Sequence, residues 1–332
     1  MGNVALQCAV LHGAGRFAQH LLDAWLRHAP HLTLGYWCDE VLDVHGVCHL
    51  LQTHDRLDFA AAQPAVEDGS IALTRLDGQR HHLPFFHGPA TQLPWRGKAD
   101  VWLECSGRYP TAEQCRAFLH GKTQRVLVSA TCWDADQTLV MGYNAADWRS
   151  DAQVLSYGSC TVNAFVPLAH WVHRRYGVEE AEVQVIHNQP AHRMEAHPRR
   201  QACTLERMGP QLLPWLDAGR FAVNYTLIPY TGASLLELRF RLQSPPSLPD
   251  FLQNLELACA SGPLRGLYAL CAQDPGITAV LGTGHNAVLH PAGVRLQGDT
   301  LRLSGYFDNE NSAVRYWELA QWMAACQSAG VT

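Results

Sequence analysis

The chain opens with an almost unbroken apolar run, Val4–Leu11, the pattern of a strand buried on both faces. A glycine turn follows, and QHLLDAWLRHA (19–29) then reads as a helix. LTLGYWC (32–38) is a second strand, and ADVWLECSGRYPTAEQCRAFL (99–119) and QRVLVSAT (124–131) continue the alternation. Strands alternating with helices predict a parallel, doubly wound sheet. Residues 56–91 are less regular and contain hairpin-like pieces, which predicts a small antiparallel insertion. Further on, Phe165, Leu168, Ala169 and Val172 recur at helical spacing, with Gly177 where a residue just past a helix end belongs. AEVQVIH (181–187) alternates as a strand, and SAVRYWELAQWMAAC (312–326) is strongly helical, with Val314, Trp317, Leu319 and Met323 offering a packing face.

A length of 332 residues suggests two domains with ample core. With 47% apolar and 17% charged residues the chain is of ordinary globular composition, and its net charge of -5 leaves no footprint for nucleic acid or an anionic membrane. No apolar run approaches a membrane span. The N-terminus reads as the start of a strand rather than a signal peptide, since no basic segment precedes it. Met1-Gly2-Asn3 lacks the hydroxyl that a myristoylation start needs at position 6, where Leu6 stands. The 11 cysteines show no C-x-x-C spacing, and reduced thiols in a cytoplasm fit best. The 18 histidines are scattered; His187, His192 and His197 recur every five residues, which matches no ligand motif, so no metal site is expected.

Two stretches carry chemistry. The first is Gly13-Ala14-Gly15-Arg16-Phe17-Ala18, between the first strand and its helix, the context a dinucleotide fingerprint requires. Gly13 permits the tight turn, Gly15 lets the backbone approach a pyrophosphate, and Ala18 keeps the helix close to the sheet. Asp39 ends the second strand, where an acid can hydrogen-bond ribose hydroxyls and repel a 2′-phosphate, favouring NAD over NADP. Glu40 is the neighbouring candidate.

The second stretch is Ser156-Tyr157-Gly158-Ser159-Cys160-Thr161-Val162-Asn163. Ser159 reads as an N-cap, which puts Cys160 in the first helical turn. The partial positive charge there favours thiolate, so Cys160 is expected to be a strong nucleophile. A cysteine is more often just a small buried apolar residue. His187, at the end of the following strand, is a general-base candidate or a scaffold histidine.

SCTVN resembles the SCTTN nucleophile motif of the glyceraldehyde-3-phosphate dehydrogenase family, which includes the erythrose-4-phosphate dehydrogenases. The likeness runs over nearly the whole chain. GAGRFA resembles the family's G-F-G-R-I-G-like run, HLLQTHD (49–55) its H-L-L-K-Y-D, Gln92-Leu93-Pro94-Trp95 its leucine-proline-tryptophan turn, TLVMGYNAADW (138–148) its V-M-G-V-N segment, and Gly305-Tyr306-Phe307-Asp308-Asn309-Glu310 its W-Y-D-N-E. The resemblance implies a Rossmann-type doubly wound parallel sheet over residues 1–158, with 312–332 packed back on it, and an α+β catalytic domain with a mainly antiparallel sheet over 159–311. It implies that Arg16, Phe17, Ser106 and Gly107 border NAD, that Ser129 lies near the nicotinamide ribose, with Thr131 replacing a proline, and that Asn309 orients the nicotinamide carboxamide. Cys160 would attack an aldehyde, His187 would pair with the thiolate and then take the hydroxyl proton, and inorganic phosphate or water would release the acyl group. A cytoplasmic homo-oligomer acting on a small aldehyde, with no nucleic-acid or membrane partner, completes the expectation.

Departures concern anions. Ser159 and Thr161 remain where a helix start can hold one. Pro190 replaces a family threonine, Leu227 replaces the arginine of F-R-V-P, and LERMGPQLLP (205–214) replaces the loop carrying S-T-G-A-A. Asn311-Ser312 follow where the family has a tyrosine. Leucine cannot make a bidentate phosphate contact. A substrate lacking a terminal phosphate is therefore expected. The alternatives are a phosphosugar dehydrogenase whose anion sites are rebuilt from Arg193, Arg199 or Arg200, and a non-catalytic NAD-binding relative.

Overall fold

The computed structural model describes residues 7–189, 194, 202–217, 219–230 and 232–328. The chain divides into two compact units: residues 1–139, 145–158 and 313–332, and residues 140–144 with 159–312.

In the first unit, the described residues build a nine-stranded sheet of β1 (Gln7–His12), β2 (Leu32–Asp39), β3 (Ala65–Glu67), β4 (Ser70–Thr74), β5 (Arg80–His87), β6 (Val101–Glu104), β7 (Arg125–Val128), β8 (Gln137–Thr138) and β9 (Val154–Ser156), in the order β3-β4-β5-β2-β1-β6-β7-β9-β8. β1 pairs in parallel with both β2 and β6, so the winding reverses there, which is where open α/β sheets take ligands. β3, β4 and β5 pair antiparallel, the inserted hairpins, and β5 joins β2 in parallel. Helix α1 (Arg16–Arg27) lays Ala18, Leu21, Leu22, Trp25 and Leu26 into the core, and α2 (Val44–Gln52) starts on Asp43, which accepts from Gly46 N. The helix after β6 is only one turn, α3 (Ala112–Cys115). The C-terminal helix α7 (Ser312–Ser328) is pinned to this unit by polar side chains: Tyr316 Oη donates to Leu127 O at 2.5 Å, Trp317 Nε1 to His28 O at 2.8 Å, and Gln321 brackets Leu32 through both its amide atoms.

The second unit is built on a mainly antiparallel sheet: β10 (Val178–Gln189), β11 (Phe221–Pro229), β12 (Ser234–Leu242), β13 (Tyr268–Leu270), β14 (Ala287–Leu289), β15 (Arg295–Gln297) and β16 (Thr300–Phe307). One face carries Ala181, Val183, Val185, Leu236, Leu238 and Phe240 into the core, while Glu180, Gln184 and Arg239 stay outside, the alternation of a sheet covered on one side. Covering it are α4 (Cys160–Tyr176) and α5 (Thr204–Leu212), with α6 (Leu248–Ala260) contributing Phe251 and Leu255. Phe165 of α4 is fully buried and stacked between Phe221 and Phe240. Removing such a ring costs about 3–5 kcal/mol, so α4 is held to the sheet firmly enough to fix its first residue, Cys160.

α4 contains Pro167, which has no N–H to give to Asn163 O. The hydroxyl of Tyr268, 2% exposed, fills the gap: it lies 3.1 Å from Asn163 O and 2.9 Å from Ala164 O, and accepts from Leu168 N at 3.3 Å. The helix ends at Gly177, whose φ of +65° favours glycine.

Candidate active site

In the first unit the expected cofactor residues gather at the carboxyl ends of β1, β2, β6 and β7. Gly13 has φ +103°, and a Cβ there would sit 2.7 Å from the Ser106 backbone, so only glycine fits. A Cβ on Gly15 would meet nothing within 4 Å. Gly15 is also the N-cap of α1 and brings no side-chain cap, leaving the first-turn N–H groups for an anion. An open cradle above uncapped N–H groups is what a pyrophosphate requires, so the turn fits a dinucleotide. Arg16 is exposed beside it. Phe17 packs edge-on to Tyr316 at 5.4 Å and against Tyr157 at 5.8 Å.

Asp39 is 8% exposed, and its carboxylate is engaged by the protein itself. Oδ2 accepts from Ala14 N at 2.8 Å, and Oδ1 from Val41 N at 2.7 Å and Leu42 N at 2.8 Å. The residue read as a ribose contact thus also ties the glycine turn to the end of β2. Glu40 is drawn aside: it accepts from Tyr109 Oη at 2.6 Å and from Ala90 N at 3.0 Å. Burial works against its charge, but those bonds and nearby His12 and Arg108 hold the carboxyl below its ordinary range.

Two residues beneath this surface are absent from the sequence reading. His12 and Glu104, at 0% and 1% exposure, approach to 2.5 Å at the ends of the adjacent strands β1 and β6. Glu104 Oε1 then accepts from Ser106 N at 2.9 Å, Ser106 Oγ at 2.5 Å and Gly107 N at 3.1 Å, fixing the turn that Ser106 and Gly107 form. Ser129 N donates to Glu104 O at 2.9 Å, and Thr131 Oγ1 to Gly158 O at 3.2 Å. The signal was present in His12 and Glu104, two polar residues ending apolar strands.

In the second unit, Ser159 caps α4 through its Oγ, which accepts from Val162 N at 3.3 Å and lies 3.1 Å from Thr161 Oγ1. The cap places Cys160 Sγ 3.7 Å from His187 Nε2. His187 Nδ1 is 2.8 Å from Asn188 O. A carbonyl only accepts, so Nδ1 carries a proton and a neutral ring turns its Nε2 lone pair to the sulfur.

Burial acts against the expected thiolate. Burial, then nearby Cys203 and Glu310, pushes the Cys160 thiol up to about 12, and the Thr161 and Cys160 N–H groups only partly offset this. Burial likewise lowers His187, against the pull of Asn188 O and Glu310. The helix start is present, but dehydration opposes it and favours the neutral thiol and imidazole.

The surroundings are aromatic and apolar. The Tyr225 ring lies 5.5 Å from the His187 ring and Phe307 6.1 Å from it. Leu227 is the direct β11 neighbour of His187. Cys203, buried at the start of α5, lies 3.7 Å from Thr161 Oγ1. Pro190, Arg193, Arg199 and Arg200 lie outside the described residues.

No protein-family model matches the chain. It is similar to the glyceraldehyde-3-phosphate dehydrogenase of Cereibacter sphaeroides, 29% identical over 236 residues that span 66% of this chain and 70% of that one. It is similar over more of its length to that of Kitasatospora aureofaciens, 26% identical over 90% of this chain and 93% of the relative. Glyceraldehyde-3-phosphate dehydrogenase 2 of Danio rerio is also 26% identical, over 91% and 93%. These relatives, at 26–29% identity over about two thirds or more of the chain, support a divergent member of the glyceraldehyde-3-phosphate dehydrogenase family.

Asn309 opens the short turn after β16 and does not stand alone. Its Oδ1 lies 3.0 Å from Ser234 Oγ, and its Nδ2 donates to Asn188 Oδ1. Asn188 and Ser234 have no counterpart among the family motifs recognised in the sequence. Among the described residues no group of three or more His, Cys, Asp or Glu side chains could hold a metal, and no helix is long and apolar enough to cross a membrane.

Proposed function

We propose that this protein is an NAD-dependent aldehyde dehydrogenase that works through a covalent intermediate on Cys160 and whose aldehyde lacks a terminal phosphate. The observation that carries the reading is the 3.7 Å approach of Cys160 Sγ to His187 Nε2, with His187 Nδ1 anchored on the opposite side of the ring.

As the sulfur adds to the aldehyde carbon, His187 Nε2 accepts the thiol proton and passes it to the new alkoxide, giving a thiohemiacetal. The Cys160 backbone N–H and protonated His187 stabilise the oxyanion along the way. His187 then removes the hydroxyl proton while the hydride leaves the same carbon, and a thioester remains on Cys160. Bound NAD supplies the hydride acceptor. Addition of water to the thioester expels the thiol, which recovers its proton, and releases the acid; inorganic phosphate in place of water would give an acyl phosphate. Gly13, Gly15, Arg16, Phe17, Asp39, Ser106, Gly107 and Ser129 hold the cofactor on this reading, and Asn309 its carboxamide. Ser159 and Thr161 remain for an anionic or hydroxylated substrate group. A cytoplasmic homo-oligomer belongs to the same reading, carried over from the family resemblance.

The unphosphorylated substrate is supported by Leu227. It adjoins His187 in register, where a guanidinium would be needed to grip a phosphate. The test is a steady-state comparison of glyceraldehyde 3-phosphate with unphosphorylated aldehydes, with and without inorganic phosphate. Higher kcat/KM for the unphosphorylated set, abolished by Cys160→Ala with NAD binding retained, is expected. A clear preference for the phosphosugar overturns the substrate assignment, and NAD binding with no turnover of any aldehyde overturns the enzyme.

A further inference from the structure

Consecutive residues of a strand point to opposite faces. On β10, His187 faces Cys160, so Asn188 turns to the other side of the sheet. A polar side chain there is expected to meet water, yet Asn188 is 8% exposed. It is buried against Ser234, 1% exposed, and Asn309, where β10, β12 and β16 converge. The three side chains form one network. Asn188 N donates to Ser234 Oγ at 3.2 Å, and Asn188 Nδ2 donates to Gly232 O. Asn188 Oδ1 accepts from Asn309 Nδ2, with Ser234 Oγ 3.2 Å away. The Ser234 hydroxyl has one proton and two acceptors within reach, Asn188 Oδ1 and, at 3.0 Å, Asn309 Oδ1.

These bonds fix which way the Asn309 amide is turned. Its oxygen points to a hydroxyl donor and its nitrogen to a carbonyl acceptor; reversal would set the amide oxygen against the Asn188 Oδ1 acceptor. An amide has two N–H groups and two lone pairs on oxygen, so one of each remains after these contacts. They point to opposite flanks of the amide, because Ser234 Oγ and Asn188 Oδ1, 3.2 Å apart, occupy the edge between its oxygen and nitrogen; the free lone pair can accept from the N–H of a second carboxamide. The same residue, Asn188, supplies the carbonyl that fixes the His187 tautomer.

We infer that Asn188 is a positioning residue: its side chain, with Ser234, presents the Asn309 amide to the nicotinamide carboxamide, while its main chain orients the base. Asn188 itself touches neither cofactor nor substrate. The inference rests on the reading of Asn309 as the carboxamide contact.

The test is equilibrium binding to the intact chain of NAD, 3-acetylpyridine adenine dinucleotide, which has an acetyl group in place of the carboxamide, and ADP-ribose, which lacks the ring. The wild type should bind NAD several-fold more tightly than the acetylpyridine analogue. Asn309→Ala should bring that ratio close to one. Asn188→Ala should reduce it at least threefold while ADP-ribose affinity stays within twofold, a pattern that general loosening of the fold would not give. Ser234→Ala tests the same network by removing the donor to Asn309 Oδ1, and serves if Asn188→Ala does not fold. A wild-type ratio retained in Asn188→Ala and Ser234→Ala but lost in Asn309→Ala overturns the inference alone. A ratio unmoved by Asn309→Ala overturns the Asn309 reading and the inference with it.

Discussion

Cys160 Sγ faces His187 Nε2 at 3.7 Å, and burial holds the sulfur protonated, its thiol raised to about 12. On the proposed function, a half-buried thiol beside a neutral imidazole would act by general base catalysis rather than through a standing ion pair. At pH 7 a thiol of that pKa is ionised to a fraction on the order of 10⁻⁵. Alkylation of Cys160 by iodoacetamide in the ligand-free protein should therefore rise about tenfold per pH unit from pH 7 to 10, with no plateau near neutrality. His187→Ala should change that rate by less than about threefold and still remove aldehyde turnover. A neutral plateau that His187→Ala abolishes would show that the ion pair exists after all.

Leu227 gives a second prediction. Leu227→Arg places a guanidinium beside His187 in β11 register. It should raise kcat/KM for a phosphorylated aldehyde relative to its unphosphorylated analogue by roughly tenfold, the scale of one charge-assisted contact. A guanidinium also disfavours protonated His187, so the acid limb of the kcat profile should move to lower pH. An unchanged substrate ratio would mean that position 227 does not face the substrate.

Much of this was legible in the chain. The glycine turn with its flanking strand and helix, the Ser159 cap and the histidine-terminated strand are local patterns, and local patterns survive folding because neighbouring residues enforce them. Cys160 and His187 are 27 residues apart, and the helix-then-strand order suffices to bring them together. What the chain could not display is the balance of solvation. The thiolate expected at a helix start is an argument from two turns of backbone, whereas the upward pull on the thiol comes from the protein packed around it. The same holds for Glu104, Asn188 and Tyr268, whose partners come from distant segments. A substitution such as Leu227 reads as a loss in sequence and acquires its meaning only from the His187 beside it.

Partly and fully buried thiols also set the response to alkali. Cys160 and Cys132 are raised to about 12, and Cys8 and Cys259 to about 11, each chiefly by burial, from an ordinary value of 9.0. Above pH 9 the unfolded chain loses these protons while the folded chain keeps them, so the folded state binds more protons and stability falls as pH rises. His187 runs the other way: its lowered folded value contributes stability above pH 6.5, where the imidazole is neutral in both states, and that stability is lost on acidification. Urea midpoints should fall between pH 9 and 11, and Cys132→Ala should flatten the fall. A midpoint constant to pH 11 would show that these thiols are less enclosed than described.

Asp39 separates two roles in one experiment. Its carboxylate accepts from three backbone N–H groups, those of Ala14, Val41 and Leu42. Asp39→Ala leaves all three without that acceptor, so it should destabilise the protein by about 1–3 kcal/mol even with no nucleotide present. If Asp39 also meets the ribose, the same variant should weaken NAD and narrow the preference over NADP. Lost stability with unchanged NAD to NADP preference would reduce Asp39 to a turn-holding residue.

Tyr268 and Pro167 provide the sharpest structural test. Pro167 cannot donate to Asn163 O, four residues earlier, and the Tyr268 hydroxyl stands 3.1 Å from that oxygen and 2.9 Å from Ala164 O. It also accepts from Leu168 N at 3.3 Å, so one hydroxyl closes the ladder on both sides of the proline. Tyr268→Phe keeps the ring, and with it the packing, and removes only that oxygen. Buried main-chain groups then lose a partner, which costs about 1–3 kcal/mol. The loss lies one turn from Cys160, so the variant should also raise the alkylation rate of Cys160 by loosening the start of α4, an effect that a destabilisation elsewhere in the fold would not produce. Equal stability of Tyr268→Phe and wild type in urea would show that water or a shifted main chain satisfies Asn163 O instead.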